Sequence, residues 1–471
     1  MHFVQQLVAT LTTIITFFAG PSTHTEGIVG QPKDINPLSS QENLIDRDIA
    51  TLVFEGLVQI DENGNLQPGL AESWEISEDK KTYTFHLKEN LAFHDKTPLR
   101  PEDIIYTASC APQFKEVEVE KLDEHTIKFK LKDPFSPFLH LLSLGILPQH
   151  LKSETNPLSP IGAGPYKIFK VEKGTRHVES ITLVKFQKNH PGPKRIVFKF
   201  FEKEEGLLTA AKLGEIDGFS SPNFAWEIFS TQTVPLNGRY FSLVFNLREK
   251  EILKDKKFRE TLTRLCPREK IINEALKGCG SPLYGPLQNT WAQTEIESYS
   301  YNPKPKEIWD KEVTLIFPDT IEHRKTADIL AEEWKKAGVQ TKIIPQNPLQ
   351  IKSETIPQRN FEILLVGQEV GRDPDRYNLW HSTQAETGMN ISGYKNMRAD
   401  RALEEGRRVQ NQEERKKHYE NFQTVFIEDL PAIFLYQPTY TYHSKKSRGD
   451  LNLLGIFTPE ERWNKILALY P

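Results

Sequence analysis

Past residue 30, apolar and polar positions switch between period two and period 3.6, and no longer repeat is visible. Thr82-Tyr83-Thr84-Phe85-His86-Leu87 alternates at period two, as a half-buried strand does. Glu and Val alternate over residues 116–120, and Thr126-Ile127-Lys128-Phe129-Lys130-Leu131 alternates in the same way after Asp123-Glu124-His125. This pair predicts an antiparallel hairpin with opposite charges on its solvent face. Residues 52–60 are apolar and end at the turn cluster Asp61-Glu62-Asn63-Gly64-Asn65. Pro101-Glu102-Asp103 opens a helix, with proline and acids in its first turn.

The middle and last thirds follow a strand–helix–strand rhythm. Strands are predicted at 167–171, 196–201, 241–246, 313–317, 339–344, 361–366 and 431–436. Helices are predicted at 206–213, ending at Gly214, at 256–265, at 322–336, closed by Gly338, and at 413–428. Such units require a parallel or mixed sheet. The fold class is therefore α/β with mixed sheets in at least two lobes.

Composition narrows the function. The chain has 471 residues and a formal net charge of −4, without the basic excess of a nucleic-acid binder. Residues 3–20 carry no charge and include Leu7, Leu11, Ile14, Ile15 and Phe17. That segment reads as a signal peptide or N-terminal membrane anchor over 1–22, placing the protein outside the membrane. Phe18-Ala19-Gly20 is followed by Pro21, so lipidation at a lipobox cysteine is excluded. Cys110, Cys266 and Cys279 are too few for a disulfide scaffold. A helix over 267–277 would hold the last two about 20 Å apart, beyond bridging reach.

No pattern of catalysis emerges. Phosphate loop, nucleophile elbow and zinc helix are all missing from the sequence, and the 13 histidines are scattered, so no metal site and no cofactor are expected. Ser77-Glu78-Asp79-Lys80 fits a Ser-x-x-Lys nucleophile pattern, but it lies in a polar turn and no Lys-Thr-Gly follows. Asp373 and Asp375 flank Pro374 without a second acid–base group nearby in sequence.

A string of short motifs runs in order along the chain. It comprises Phe54-Glu55-Gly56-Leu57, Pro68-Gly69-Leu70-Ala71-Glu72-Ser73-Trp74, Phe93-His94-Asp95 and Gly162-Ala163-Gly164-Pro165-Tyr166. Gly214-Glu215-Ile216-Asp217, Phe245-Asn246-Leu247, Asp373-Pro374-Asp375, Gly393-Tyr394 and Asp429-Leu430-Pro431 complete it. In that order, over roughly residues 30–445, the chain resembles the extracellular solute-binding proteins of ABC importers, the family that includes oligopeptide- and dipeptide-binding proteins.

The resemblance implies a two-lobed, periplasmic-binding-protein-like fold that closes on its ligand by hinge motion. It divides the chain into a discontinuous lobe (30–51, 156–239 and 441–471), an inserted subdomain (52–155) and a second lobe (240–440). It implies a non-enzymatic, monomeric protein that hands peptides to ABC permease subunits. Peptides would be held extended through their main chain, as in strand addition. One cleft wall maps to Ser39, Ser40, Gln41 and Glu42. The opposite wall maps to Val366, Gly367, Gln368, Glu369 and Val370, with Asp373 and Trp380 beyond it. Trp380 reads equally as pocket wall or core, while Asp373 and Asp375 read first as groups that hold the loop itself.

Departures from the family pattern bear on the ligand. Peptide binders carry an Asp at the position of Val370 to pair with the ligand amine; Glu369 is adjacent. Lys80 and Lys96 stand where the family commonly has glycine. Arg372 and Arg376 are positional candidates for a ligand carboxylate, with solvated surface as the other reading. Rival readings are a non-peptide solute (metal chelate, haem, oligosaccharide) on the same fold, or a surface-anchored interaction protein.

Overall fold

The computed structural model describes residues 23–39, 43–61, 64–152, 156–222, 224–294 and 299–470. The segment 1–22 therefore lies outside the described residues, as do Ser40, Gln41 and Glu42. The chain forms two compact units. The first joins Met1–Lys132, Phe138–Val234 and Tyr440–Pro471; the second joins Asp133–Pro137 to Pro235–Thr439.

The first unit opens with β1 (Thr23–Val29) and helix α1 (Leu44–Val53). Asn43 caps α1 by accepting from the Ile45 N–H. A four-stranded antiparallel sheet follows, built from β2 (Ala71–Ile76), β3 (Thr82–Leu87), β4 (Glu118–Lys121) and β5 (Thr126–Lys130) in the order β2-β3-β5-β4. The period-two pattern is realised directly. Tyr83, Phe85, Ile127 and Phe129 are buried on one face, where Phe129 meets Phe138 at 5.6 Å. On the other face Glu118 and Glu120 stand opposite Lys130 and Lys128, with N–O separations of 3.4 and 2.5 Å.

Ser77 lies in the β2–β3 turn, where its hydroxyl donates to Asp79 at 2.5 Å and accepts from the Thr82 N–H at 2.9 Å. These are turn contacts, and the same Asp79 carboxylate also accepts from the Lys81 N–H at 3.1 Å. Lys80, in that same turn, has φ +59°, and Lys96 has φ +75° in the turn closed by Lys96 N–H to Phe93 O at 2.8 Å. Both positions take the left-handed backbone that glycine adopts without steric cost.

The larger sheet of this unit contains β6 (Tyr166–Lys173), β7 (Val178–Lys185), β8 (Arg195–Phe201) and β9 (Gly218–Ser220). β1 lies between β8 and β9 and runs parallel to both, while β6, β7 and β8 pair antiparallel. The turn before β6 is fixed by His94. Its Nδ1 accepts from the Gly162 N–H at 3.3 Å, so its Nε2 carries the proton and donates to Gly164 O at 3.0 Å. A Cβ on Gly162 would stand 2.1 Å from Val53 O, so only glycine lets this turn lie on the end of α1.

The second unit contains β10 (Arg239–Phe245), β11 (Lys311–Pro318), β12 (Val339–Gln346) and β13 (Ile363–Glu369), ordered β12-β11-β13-β10. β11 and β12 pair in parallel across helix α2 (Ile321–Lys335), as the strand–helix–strand pattern requires. Leu243, Leu315 and Leu365 pack with Leu330 and Trp334 on one side of the sheet. Val244, Ile316 and Leu364 pack on the other with Phe422 and Phe426 of α4 (Gln412–Asp429), which follows α3 (Met397–Arg408). Burial on both faces explains the continuous apolar run of these strands.

The final strand, β14 (Ala432–Lys445), is longer than the predicted 431–436. Its first residues pair with β10 and its last three partners are in β9. Residues 437–445 are mostly polar or aromatic and lack the apolar signal that marks the first half. β1 and the C-terminal helix α5 (Arg462–Ala468) also escape a periodicity reading, because each buries charge. Arg462, 2% exposed, reaches Asp48 through two bonds of 2.6 Å and Glu26 at 3.0 and 3.1 Å. Glu26 also accepts from Tyr442 at 2.7 Å and pairs with His24 at 3.0 Å. Burial alone raises both carboxyl pKa values; Arg462 and His24 outweigh it at Glu26, which ends below its ordinary value, whereas Asp48 ends above. All three cysteines are unbridged, and the helix between Cys266 and Cys279 is confined to Arg268–Glu274.

Two stability tests follow from these turns. Lys80→Gly and Lys96→Gly should each raise the unfolding free energy by about 1 kcal/mol in urea titration, by relieving the left-handed backbone. Burial depresses the His94 pKa from 6.5 to about 4, so the folded state holds the ring neutral while the unfolded chain protonates it. Its contribution is therefore complete above pH 6.5 and declines as pH falls toward 4. Urea titrations across that window should show a loss of about 3 kcal/mol that His94→Asn flattens.

Candidate functional site

The candidate wall residues 366–369 lie on β13. It pairs antiparallel with β10 in the register Arg239↔Glu369, Tyr240↔Gln368, Phe241↔Gly367 and Ser242↔Val366. The Val370 N–H continues the pairing to Gly238 O at 2.8 Å. On its other side β13 meets β11 only at Leu315↔Ile363 and Ile316↔Leu364. The main chain of Val366, Gly367 and Gln368 thus runs past the last β11 partner, with one edge bonded to β10 and the other beyond the ladder.

Pleating divides the wall residues between two faces. Val366 and Val370 pack against the apolar cluster of Tyr240, Trp380 and Phe434. Gly367 lies on the opposite face, where a Cβ would stand 2.7 Å from the Phe241 ring. That ring stacks on Tyr436 at 5.1 Å and lies 5.0 Å from His323, so a side chain at 367 would displace an ordered aromatic group. Glu369 is exposed and stands in register with Arg239, whose guanidinium lies 5.7 Å from Phe241. Three buried polar atoms on β10 and β13 have no hydrogen-bond partner among the described residues: Tyr240 Oη, Ser242 Oγ and Gln368 Oε1. Buried polar groups are ordinarily satisfied, so these are marked positions.

The loop after the wall is held by charge. Asp373 accepts from both terminal nitrogens of Arg415, at 2.8 and 2.9 Å, in a buried bidentate pair. Burial lowers the Arg415 pKa, but the Asp373 charge more than offsets it and leaves the guanidinium raised. Asp375 receives Arg407 Nε at 2.8 Å and caps the following turn by accepting from the Tyr377 N–H at 3.0 Å. Arg376 is not solvated surface: it is 2% exposed and donates to the carbonyls of Pro286, Asp373 and Asp375. Trp380 is likewise 2% exposed and packs edge-on against Phe426 at 4.6 Å.

Within the second unit the structure therefore gathers residues 366–370, Asp373 and Trp380 around one strand and its loop. Ser39 belongs to the first unit, where its hydroxyl donates to Asp34 at 2.6 Å. Sequence reasoning missed Arg415 and Arg407. Arg407 stands beside Arg408 in the last turn of α3 and Arg415 opens the basic run Arg415-Lys416-Lys417 on α4, so both read as solvated charge, and α4 is too weakly amphipathic to show which face turns inward. No group of three metal-ligating side chains exists among the described residues. None of the described helices is long and apolar enough to cross a membrane.

Residues 65–390 match the profile of bacterial extracellular solute-binding proteins, family 5, middle. The chain belongs to this family. It is a solute-binding component of ABC importers, a non-enzymatic class that works on the extracellular or periplasmic side of the membrane. The oligopeptide-binding protein AppA of Bacillus subtilis is 26% identical over 89% of each chain. The crystal structure of NikZ from Campylobacter jejuni in complex with Ni(L-His) is 26% identical, with TM-score 0.73, over 93% of this chain and 96% of that one. The substrate-binding protein CtaP of Listeria monocytogenes shares the fold with TM-score 0.80 at 24% identity, over 95% of this chain and 99% of that one.

The Asp373–Arg415 pair is the anchor of the wall loop. Asp373→Ala leaves a buried guanidinium without its counter-charge and should cost about 3–5 kcal/mol in denaturant unfolding. A drop below about 1 kcal/mol would mean that the backbone of the loop holds itself.

Proposed function

We propose that this protein binds peptides and delivers them to an ABC permease, with Val366, Gly367, Gln368, Glu369 and Val370 as one wall of the binding site. The observation that carries this reading is the strand edge at 366–368, which leaves the β11 ladder after Leu364. An extended peptide laid on such an edge forms main-chain hydrogen bonds, each worth about 0.5–1.5 kcal/mol net, without reading side chains. The 26% identity to an oligopeptide-binding protein over 89% of both chains supports the same ligand class.

In this reading Glu369 takes the role of the amine partner that Val370 cannot fill. Ser39, Ser40, Gln41 and Glu42 supply the other wall, while Asp373 and Trp380 act from behind by fixing the loop and its core. Residues 52–155 form an inserted subdomain, and residues 1–22 export or anchor the chain without a lipid.

A second reading has its own support. Val370 is half-buried against an apolar cluster, which suits a solute lacking a free amine. The relative NikZ, equally similar, is described in complex with Ni(L-His).

Native mass spectrometry of gently purified protein, followed by denaturing release, separates the two. A ladder of peptides of similar length and mixed sequence is expected. Glu369→Gln should then weaken binding of free-amine peptides at least about tenfold, the scale of a lost charge-assisted bond, and leave N-acetylated peptides unaffected. One defined non-peptide molecule would overturn the peptide reading and favour the second.

A further inference from the structure

A five-residue segment departs from its surroundings. Lys132 and Phe138 belong to the first unit, but Asp133–Pro137 between them belongs to the second. Phe138 is fixed among Tyr83, Phe114 and Phe129 at 4.8, 6.2 and 5.6 Å, so one flank of the segment is firmly rooted. The segment itself reads Asp-Pro-Phe-Ser-Pro. Two prolines in five residues narrow its backbone freedom, so ordering it costs less entropy than ordering an ordinary loop.

Its seat is the C-terminal end of α3. The Ser136 N–H donates to Arg407 O at 2.7 Å, and the Ser136 hydroxyl donates to Val409 O. These carbonyls belong to the last turn of a helix, where orphan acceptors are plentiful. The Arg407 guanidinium lies 5.1 Å from the Phe135 ring and 3.8 Å from the Tyr377 ring. The same guanidinium holds Asp375 at 2.7 and 2.8 Å. One side chain thus touches the inserted segment through Phe135 and the wall loop through Asp375 and Tyr377.

We propose that Asp133–Pro137 is a latch seated on Arg407, and that its seating is coupled to the order of the wall loop 371–377. Arg407 is the positioning residue: it reaches no solute in this scheme, but its planar cation satisfies a carboxylate and two aromatic faces at once. Losing Phe135 frees one face of the guanidinium, which then holds Asp375 in a less fixed direction. Losing the Asp375 charge lets the guanidinium swing from Phe135. Because the coupling is a free energy, it must act equally in both directions. A solute that orders the wall loop therefore seats the latch, and an unseated latch loosens the wall. This inference goes beyond the peptide reading and holds for any solute the wall accepts.

The test is amide hydrogen exchange by mass spectrometry on solute-free, full-length protein, so it succeeds or fails independently of the ligand's identity. In the wild type the peptide spanning Ser136 should exchange well below its unstructured rate. Phe135→Ala should speed exchange about tenfold at 371–377, and Asp375→Asn should do the same at 133–137, the scale of one lost partly buried cation–π contact. Phe135→Leu keeps apolar bulk without the aromatic face and guards against a folding artefact; it should reproduce the effect at 371–377 with an unchanged melting temperature. Acceleration confined to the mutated segment in each variant would overturn the coupling. A wild-type Ser136 amide exchanging at its unstructured rate would overturn the latch itself.

Discussion

Arg462 is the charge on which the first unit depends. It stands near the end of the chain, yet its partners Glu26 and Asp48 lie in the first strand and first helix. A guanidinium withdrawn from water is tolerable only when its donors are filled, and here Glu26, Asp48 and the Pro459 carbonyl fill them. Glu26 in turn ties in His24 and Tyr442, so one ionic node fastens β1, α1, β14 and α5 together. A unit assembled from sequence-distant pieces needs a contact that only its correct assembly can satisfy. Apolar packing tolerates neighbours of roughly the right size, whereas a buried arginine with two carboxylates tolerates one arrangement.

The second unit repeats this device in the loop after β13. Its sheet is apolar on both faces and would form with many loop sequences. What makes the loop after β13 definite is the set Asp373–Arg415, Asp375–Arg407 and the buried Arg376. The aspartates around Pro374, which by type invite an acid–base reading, are consumed as counter-ions and turn caps. The candidate wall at 366–370 carries a glycine, the exposed Glu369 and one unsatisfied polar atom, Gln368 Oε1, with two more on its neighbour β10. Rigid charge pairs of this kind fix the shape of a loop without lending it side-chain chemistry of its own.

How far the sequence reveals this depends on which physics carries each element. Strands such as Thr82–Leu87 and helices such as Ile321–Lys335 announce themselves through period and caps, and the structure places them within a residue or two of expectation. β1 and α5 are silent because His24, Glu26 and Arg462 occupy interior positions, and a periodicity reading counts charge as surface. Arg376 is misread for the same reason. The candidate wall was put forward only through the ordered motifs, since its own residues carry no pattern that separates a binding edge from a core strand. Arg407 and Arg415 were out of reach because their partners lie 32 and 42 residues away, a separation that no local window spans.

Lys80, Lys96 and Val370 are departures of one kind with opposite consequences. At Lys80 and Lys96 the backbone keeps the left-handed geometry, and the side chain that is present merely strains it. The fold absorbs such changes because each costs little against many cooperating contacts. At Val370 the backbone is equally undisturbed: its N–H still closes the ladder to Gly238. What changes is chemistry, since a carboxylate that would meet an amine is replaced by an apolar side chain resting on the core cluster. A contact made by main-chain atoms depends on strand geometry and is indifferent to such a substitution, whereas a contact made by a charge depends on which side chain carries it. A family can therefore keep one architecture across unrelated solutes, because the contacts that hold the fold and the contacts that choose the ligand are made by different atoms of the same strand.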